Sequence, residues 1–210
     1  PEEYGGYYGW GCIEPYTTTD YVDWSLYFKK IGGAGSSASD CGLNNDPLAR
    51  IATSQGDKNI FGSKWDAAHV KLGGKWRMPT ATEWNELINK CSCTNNSNYY
   101  TYTSRNGKSI ILPIAGELIF EQESTGYFYW SSSSSTKGSQ YAVYFKGTDT
   151  GKSSTYRYIG FPIRPVWDDN MPEPTEIKAV DLGLPSGTKW ANINLGASTI
   201  EEPGDYYGWG

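Results

Sequence analysis

The sequence has few of the residues on which most catalytic and metal sites depend. It contains one histidine and four cysteines in 210 residues. Its 18 lysines and arginines are scattered singly among 23 acidic residues, so no basic stripe could neutralise a run of phosphates. We therefore expect no nucleic-acid partner.

Long apolar segments are also missing. No apolar run approaches the roughly 20 residues that a helix needs to cross a bilayer, so we expect no membrane span. The chain is instead rich in aromatic residues and glycine, with 17 tyrosines, 9 tryptophans and 25 glycines. This mixture is typical of extracellular modules built from strands and loops.

The four cysteines, Cys12, Cys41, Cys91 and Cys93, lie among loops rich in Ser, Thr, Asn and Tyr, which fits an oxidising compartment. Three ways of pairing the four cysteines into two disulfide bonds are possible. A bond between Cys91 and Cys93 is disfavoured, because their Cα atoms would lie near the upper limit of disulfide geometry. A Cys12–Cys41 bond closes a loop most easily, and two free thiols are the alternative. A zinc site would need more ligands than His69 and one CxC motif supply.

Two helices are predicted. Thr80 and Glu83 have the spacing of a capping box, and apolar residues on one face then predict a helix from Ala81 to Lys90. A second helix is predicted from Ser63 to Lys71, ended by Gly73-Gly74. Later in the chain, apolar segments separated by Gly, Ser and Lys turns predict a meander of antiparallel strands at 110–112, 127–130, 141–145, 154–158 and 161–166.

The two ends of the chain carry the same motif. Residues 2–11 and 201–210 are identical at eight of ten positions, including Tyr-Tyr-Gly-Trp-Gly, and they lie 199 residues apart. This identity indicates one repeat of about 199 residues in a shifted frame.

Acidic residues and two prolines predict a short stiff linker at 169–174. It would separate a main module at 1–168 from a tail at 175–210. Within the tail, apolar positions around Pro185-Ser186-Gly187 predict two short strands. A tail of this length cannot form its own core, so we expect it to complete another module.

Several blocks together resemble a known family. They are VDLGLPSGTKWA at 180–191, YYGWG at 7–11, WDAAHVKLGGKWRMPTATEWNELINKC at 65–91, YWSSS at 129–133 and GFPIRPV at 160–166. They resemble the Fibrobacter-type major paralogous domain common in Bacteroidota surface proteins, itself similar to the formylglycine-generating-enzyme branch of C-type-lectin-like folds.

The resemblance implies an α+β, C-type-lectin-like fold with two short helices and antiparallel strands, in a permuted or strand-donated frame. Residues 1–168 would lack the opening strands of the fold, and residues 175–210 would supply them to the next module. Formylglycine-generating enzymes use cysteines late in the domain, and no cysteine follows Cys93. His69 has no nucleophile-elbow motif near it, so we expect no enzyme.

Two kinds of ligand are considered. Asp168, Asp169, Asn170 and Glu173 bring oxygen ligands to the predicted linker, where a calcium ion could stiffen the junction. No other cofactor is expected.

Sugar stacking on Trp130, Tyr141, Tyr156 and Tyr158 is the second kind, because the resemblance places these residues in the segment that forms the ligand face of many proteins of the fold. Alternating aromatic residues belong more often to a core. The calcium-dependent sugar motifs of C-type lectins are not present.

We expect a non-enzymatic structural or adhesive module of an extracellular or outer-cell-surface protein or filament, joined head to tail to copies of itself or to adjacent repeats. The alternative is a surface-displayed module that binds a glycan or a protein through the loop at 131–140 and nearby aromatic residues. The expected assembly residues are Val180, Leu182, Leu184, Trp190, Ile193, Tyr206, Tyr207 and Trp209 in the tail, with Tyr7, Tyr8 and Trp10 in the first copy of the motif.

Overall fold

The structure is a computed structural model that describes residues 5–52, 59–147, 151–171 and 178–194. It is a mixed α+β protein with antiparallel sheets. The chain divides into two compact units, the body, Pro1–Asp168, and the tail unit, Asp169–Gly210. Each unit is described by itself.

The helices of the body are short. The longest, α4, has the predicted bounds and the predicted capping box, in which the Thr80 hydroxyl accepts from the Glu83 amide at 3.2 Å and the Glu83 carboxylate accepts from the Thr80 amide at 2.7 Å. The described helices are α1 at Trp24–Lys30, a 3-10 turn at Ala38–Asp40, α2 at Ala49–Ala52, α3 at Ala67–Leu72 and α4 at Ala81–Lys90.

The predicted start of the second helix, at Ser63, is wrong. Helix α3 begins at Ala67 because the buried Asp66 side chain caps it, accepting from the His69 amide at 3.1 Å. The same carboxylate accepts from the Met78 amide at 2.9 Å, so it ties the start of the helix to a later strand. Gly73, with φ 67°, ends the helix as predicted.

All strand pairs in the described residues are antiparallel. The strands are β1 Trp76–Arg77, β2 Ser92–Asn95, β3 Tyr99–Thr103, β4 Ser109–Pro113, β5 Glu117–Ile119, β6 Gln122–Ser124, β7 Phe128–Ser134, β8 Tyr141–Lys146, β9 Gly151–Tyr156, β10 Val166–Trp167, β11 Ala179–Asp181 and β12 Lys189–Ala191. They form the sheets β1–β10, β2–β3–β4, β5–β6, β7–β8–β9 and β11–β12.

The predicted meander is confirmed in the sheet β7–β8–β9. The strand predicted at 161–166 is wrong over most of its length, since only Val166 lies in a strand, β10. Pro162 and Pro165 lack the amide hydrogen that a ladder needs, which explains the difference. Phe161 instead forms an isolated antiparallel bridge with Tyr8.

The core of the body has two apolar clusters. In the smaller cluster, Trp84 of α4 stacks on Phe145 of β8, with ring centroids 4.5 Å apart and planes 3° apart. The larger cluster contains Trp10, which is 0% exposed. These contacts place α4 against the sheet β7–β8–β9.

The first copy of the repeated motif is part of this core. The amide of Tyr8 donates to the carbonyl of Phe161 at 2.9 Å, and the amide of Phe161 donates back at 3.1 Å. The amide of Trp10 donates to the carbonyl of Arg157 at 2.8 Å, and its indole donates to the carbonyl of Ser131 at 3.0 Å. The motif is therefore held by backbone pairing and by complete burial of its tryptophan.

Beside the motif lies a fully buried ion pair. The guanidinium of Arg157 lies 2.6 Å from the carboxylate of Asp46, and both side chains are 0% exposed. The ring of Tyr27 on α1 lies 5.4 Å from the guanidinium carbon. The Asp46 carboxylate also accepts from the amides of Gly42 and Leu48, which fixes the loop before α2.

Removing the buried cation should lower the stability of the body more than a substitution at the surface does. We expect Arg157→Met to lower the free energy of unfolding by about 3–5 kcal/mol, because Asp46 is left as a buried, uncompensated charge. Arg105→Met, at an exposed residue, serves as the control and should change the free energy of unfolding by no more than about 0.5 kcal/mol. Urea unfolding followed by tryptophan fluorescence measures both, and equal losses in the two variants would contradict the assignment.

The tail unit contains the hairpin β11–β12, which confirms the two strands predicted there. Val180 lies directly opposite Trp190, so these two side chains share one face. Asp181 lies opposite Lys189 on the other face, with the charged atoms 3.9 Å apart. Every residue of both strands is exposed.

Candidate functional site

Two surfaces are candidates for function. One is a row of aromatic rings on the body, and the other is the apolar face of the tail hairpin. The aromatic row consists of Tyr21, Trp24, Phe120, Tyr141, Tyr156 and Tyr158, which contact one another in series.

The centre of the aromatic row is a stack of three tyrosines. The rings of Tyr141 and Tyr156 are 4.9 Å apart with planes at 15°, and those of Tyr156 and Tyr158 are 5.8 Å apart at 18°. Trp24, at the start of α1, contacts the rings of Tyr156 and Tyr158 at 5.8 and 4.9 Å. The row therefore joins the last strand of the sheet β7–β8–β9 to α1.

The other end of the row is positioned by a tight turn. Phe120 and Glu121 connect β5 to β6 and have φ values of 49° and 61°. Left-handed backbone costs non-glycine residues about 1–2 kcal/mol each, and this turn directs Phe120 against Tyr21, with centroids 5.4 Å apart. Such a conformation is found where the surroundings enforce it, often at functional surfaces.

The aromatic row is partly open to solvent. Tyr21 is 58% exposed, Phe120 44% and Tyr156 36%. Hydrogen bonding to the hydroxyl of Tyr141 raises the pKa of Tyr156. Burial, and then the nearby hydroxyl and carboxylates, raises the pKa of Tyr158, which forms the floor of the row. The site therefore offers apolar faces edged by hydroxyl groups.

Three of the four predicted sugar-stacking residues lie in the aromatic row, and Trp130 does not. Trp130 is 0% exposed, and its indole donates to the carbonyl of Tyr8 at 2.6 Å. Its ring belongs to the core and cannot stack on a ligand, so this prediction is wrong. The predicted exposed loop at 131–140 is wrong at its start, because Ser131 and Ser132 are fully buried within β7.

A polar cleft lies near the start of α4. It has a volume of about 480 Å³ and is lined mainly by hydroxyl-bearing residues of 80–82, 133–136 and 153–154, with Lys137 and Lys152. Among the described residues that line it, none has an aromatic side chain. The cleft was not predicted from the sequence, because its walls come from five separated parts of the chain.

The predicted assembly residues fall into two groups. Those in the motif are integral to the body, where Tyr7 and Trp10 are buried and Tyr8 is half-buried. Those in the hairpin are exposed, and Ile193 is half-buried. The exposed fractions are 38% for Val180, 58% for Leu182, 43% for Leu184 and 57% for Trp190, while Tyr206, Tyr207 and Trp209 lie outside the described residues.

Of the predicted calcium ligands, Asp168 belongs to the body and pairs with a cation. The carboxylate of Asp168 lies 2.7 Å from the Nε atom of Arg77, which also pairs with Glu83. Asp169 and Asn170 are exposed, and Glu173 lies outside the described residues. Within the described ranges, no group of three or more His, Cys, Asp or Glu side chains could hold a metal ion. Calcium binding therefore stays a prediction.

The thiols of Cys12 and Cys41 are buried, and His69 is half-buried on α3. All four cysteines are free, so the favoured Cys12–Cys41 bond is not formed. Burial raises the pKa of the Cys12 thiol to about 12 and also raises the pKa of Cys41, so neither is a thiolate near neutral pH. The Nδ1 atom of His69 lies 3.2 Å from the carbonyl of Trp76, on the surface of α3.

No family model matches the chain, and no curated protein or solved structure matches it either. In the ranges that the structure describes, no helix has both the length and the apolar composition to span a membrane.

Proposed function

We propose that this chain is a non-enzymatic structural or adhesive repeat module of an extracellular surface protein or filament. Its modules join head to tail, and residues 175–210 of one module complete the next. The observation that carries the proposal is the hairpin β11–β12, whose apolar side chains are exposed among the residues of its unit that the structure describes, 169–171 and 178–194.

The energetics of the hairpin support this role. A two-stranded hairpin alone is marginally stable at best in water. Leu182 and Trp190 are more than half exposed, and burying each such side chain would contribute about 1.5–3 kcal/mol. A covering surface is therefore needed to hold the hairpin folded.

The repeated motif supports it independently. In the body, Tyr7 to Gly11 occupy a specific site. They are held there by backbone pairing to Phe161 and by the full burial of Trp10. Residues 206–210 have the same five-residue sequence. In a head-to-tail array of repeats, the second copy of the motif belongs to the following module, where it takes the place that Tyr7 to Gly11 take in the body.

The fold and the localisation belong to the same proposal. The resemblance in the sequence motifs favours a C-type-lectin-like fold of the Bacteroidota surface-protein type, lying outside the cell. The non-enzymatic role is favoured by the burial of the Cys12 and Cys41 thiols, which raises their pKa, and by the position of His69 beside the carbonyl of Trp76.

Electron microscopy tests the proposal. Negative-stain images of the native chain should show linear particles with a regular axial repeat of one module. Leu182→Arg should give dispersed particles, because it places a charge on the apolar hairpin, whereas Leu43→Arg, at a loop residue 54% exposed, should assemble normally. Dispersed wild-type monomers, or intact fibres of the Leu182 variant, would contradict the proposal.

A second candidate function is glycan binding by the aromatic row. The row favours glycan binding because the exposed faces of its rings can stack on the apolar faces of sugars. The tyrosine hydroxyl groups at its edge can form hydrogen bonds with sugar hydroxyl groups. The strained turn that holds Phe120 against Tyr21 adds a preorganised end to this surface. The polar cleft near α4 lacks such rings.

Glycan arrays test this second function. If a glycan binds, Tyr156→Ala should weaken the binding roughly tenfold, which corresponds to about 1.4 kcal/mol of lost stacking. Phe61→Ala is the matched control, because Phe61 is 37% exposed and lies outside the aromatic row. Equal affinity in the Tyr156 variant and the wild type would remove the row as the binding surface.

A further inference from the structure

The polar cleft near the start of α4 is a cavity of the body that neither proposed function uses. Its volume of about 480 Å³ falls in the range of small-ligand sites, roughly 300–1,000 Å³. Most such sites are lined by apolar side chains, whereas the described walls of this cleft consist mainly of hydroxyl-bearing side chains. Such a lining is suited to a ligand that is itself rich in polar groups.

Two lysines give the cleft its charge. Lys137 lies in the turn after β7 and Lys152 lies on β9, and both residues are exposed. None of the described residues that line the cleft is acidic, and no described carboxylate pairs with either lysine. The whole chain has 23 acidic residues and 18 basic ones, so the charge of the cleft is opposite to that of the chain. A concave surface lined by charges of one sign raises the local concentration of ions of the other sign.

Three hydroxyl groups in the cleft are available to a ligand. Those of Thr82, Thr136 and Ser153 have no hydrogen-bond partner among the residues that the structure describes. A hydroxyl group both donates and accepts hydrogen bonds. It therefore matches a ligand group that does the same, such as the hydroxyl group of a sugar.

Hydrogen bonds hold the walls of the cleft in place. The hydroxyl of Ser135 donates to that of Ser154 at 2.9 Å and accepts from the Lys137 amide at 3.1 Å. The hydroxyl of Ser133 accepts from the Ala81 amide at 3.0 Å. These bonds join β7, β9 and the start of α4. The walls are thus ordered before a ligand arrives, which lowers the entropic cost of binding.

We propose that this cleft binds an acidic sugar, one whose ring carries a carboxylate or a sulfate group. Lys137 and Lys152 bind the acidic group, and the hydroxyls of Thr82, Thr136 and Ser153 exchange hydrogen bonds with the hydroxyls of the ring. A cavity of about 150 Å³ holds a benzene ring, so the cleft has room for a substituted sugar ring and part of the next one.

Other anions fit the cleft less well. Nucleotide bases bind by stacking on aromatic rings, and no described residue of the cleft is aromatic. Inorganic phosphate or sulfate would fill little of the volume, and its oxygens would leave the acceptor capacity of the hydroxyl groups unused. The aromatic row contains none of the described residues that line the cleft. The inference therefore concerns a separate site and does not depend on assembly of the chain.

Isothermal titration calorimetry of the full chain tests the inference with four probes. They are an oligogalacturonate, a sulfated galactan oligosaccharide, a neutral galactan oligosaccharide of the same length, and sodium sulfate. We expect an acidic oligosaccharide to bind more tightly than the neutral one and than sulfate, by about tenfold or more. Its affinity should fall as sodium chloride is added. The tighter binder of the two acidic probes identifies the acidic group.

Substitutions locate the binding in the cleft. Lys137→Met and Lys152→Met should each weaken binding of the acidic oligosaccharide by about tenfold, because each removes a charge-assisted hydrogen bond. Thr82→Val removes one neutral hydrogen bond and should weaken the binding by about threefold. Lys108→Met, at an exposed lysine outside the cleft, is the matched control and should bind like the wild type. Circular dichroism checks that each variant is folded.

Three results would overturn the proposal. The first is that neither acidic oligosaccharide binds. The second is that the neutral probe or sulfate binds as tightly as the acidic sugars, and with sulfate the cleft would hold an adventitious ion only. The third is wild-type affinity in a folded double variant, Lys137→Met with Lys152→Met, which would place the binding elsewhere on the chain.

Discussion

The buried pair of Arg157 and Asp46 is the interaction on which the body depends. A charge without solvent is costly, so each partner requires the other, and each also organises backbone around it. Asp46 fixes the loop before α2, the guanidinium packs against Tyr27 of α1, and the Arg157 carbonyl receives the amide of Trp10. Segments that are far apart in the sequence thus contact one buried ion pair, and the repeated motif lies beside it.

Local signals in the sequence predicted local structure well. The start of α4 was predictable because the Thr80–Glu83 capping box acts within a few positions. Helix α1 was missed although the Asp23 side chain caps it by accepting from the Leu26 amide, because seven residues are too few to establish a period. The hairpin β11–β12 was predictable from its turn residues.

Long-range features could not be predicted, for a physical reason. The family resemblance places Trp130 in the segment of the ligand face but does not say which face of the strand is covered, and Trp130 is entirely buried. A run of serines is typical of a loop, yet Ser131 is buried in β7, where its hydroxyl donates to the carbonyl of Val143 at 2.7 Å. The aromatic row was only partly anticipated, because Trp24 and Phe120 reach it from distant segments.

In the proposed head-to-tail assembly, the exposed apolar face of the hairpin β11–β12 is covered by another copy of the chain. Hydrogen exchange of the backbone amides at 179–191 measures this directly, because an uncovered hairpin opens readily and a docked one does not. The account predicts that protection of these amides rises with protein concentration, while amides of the exposed loop at 104–108 exchange at a constant rate. Protection of 179–191 that is the same in dilute and concentrated protein would contradict it.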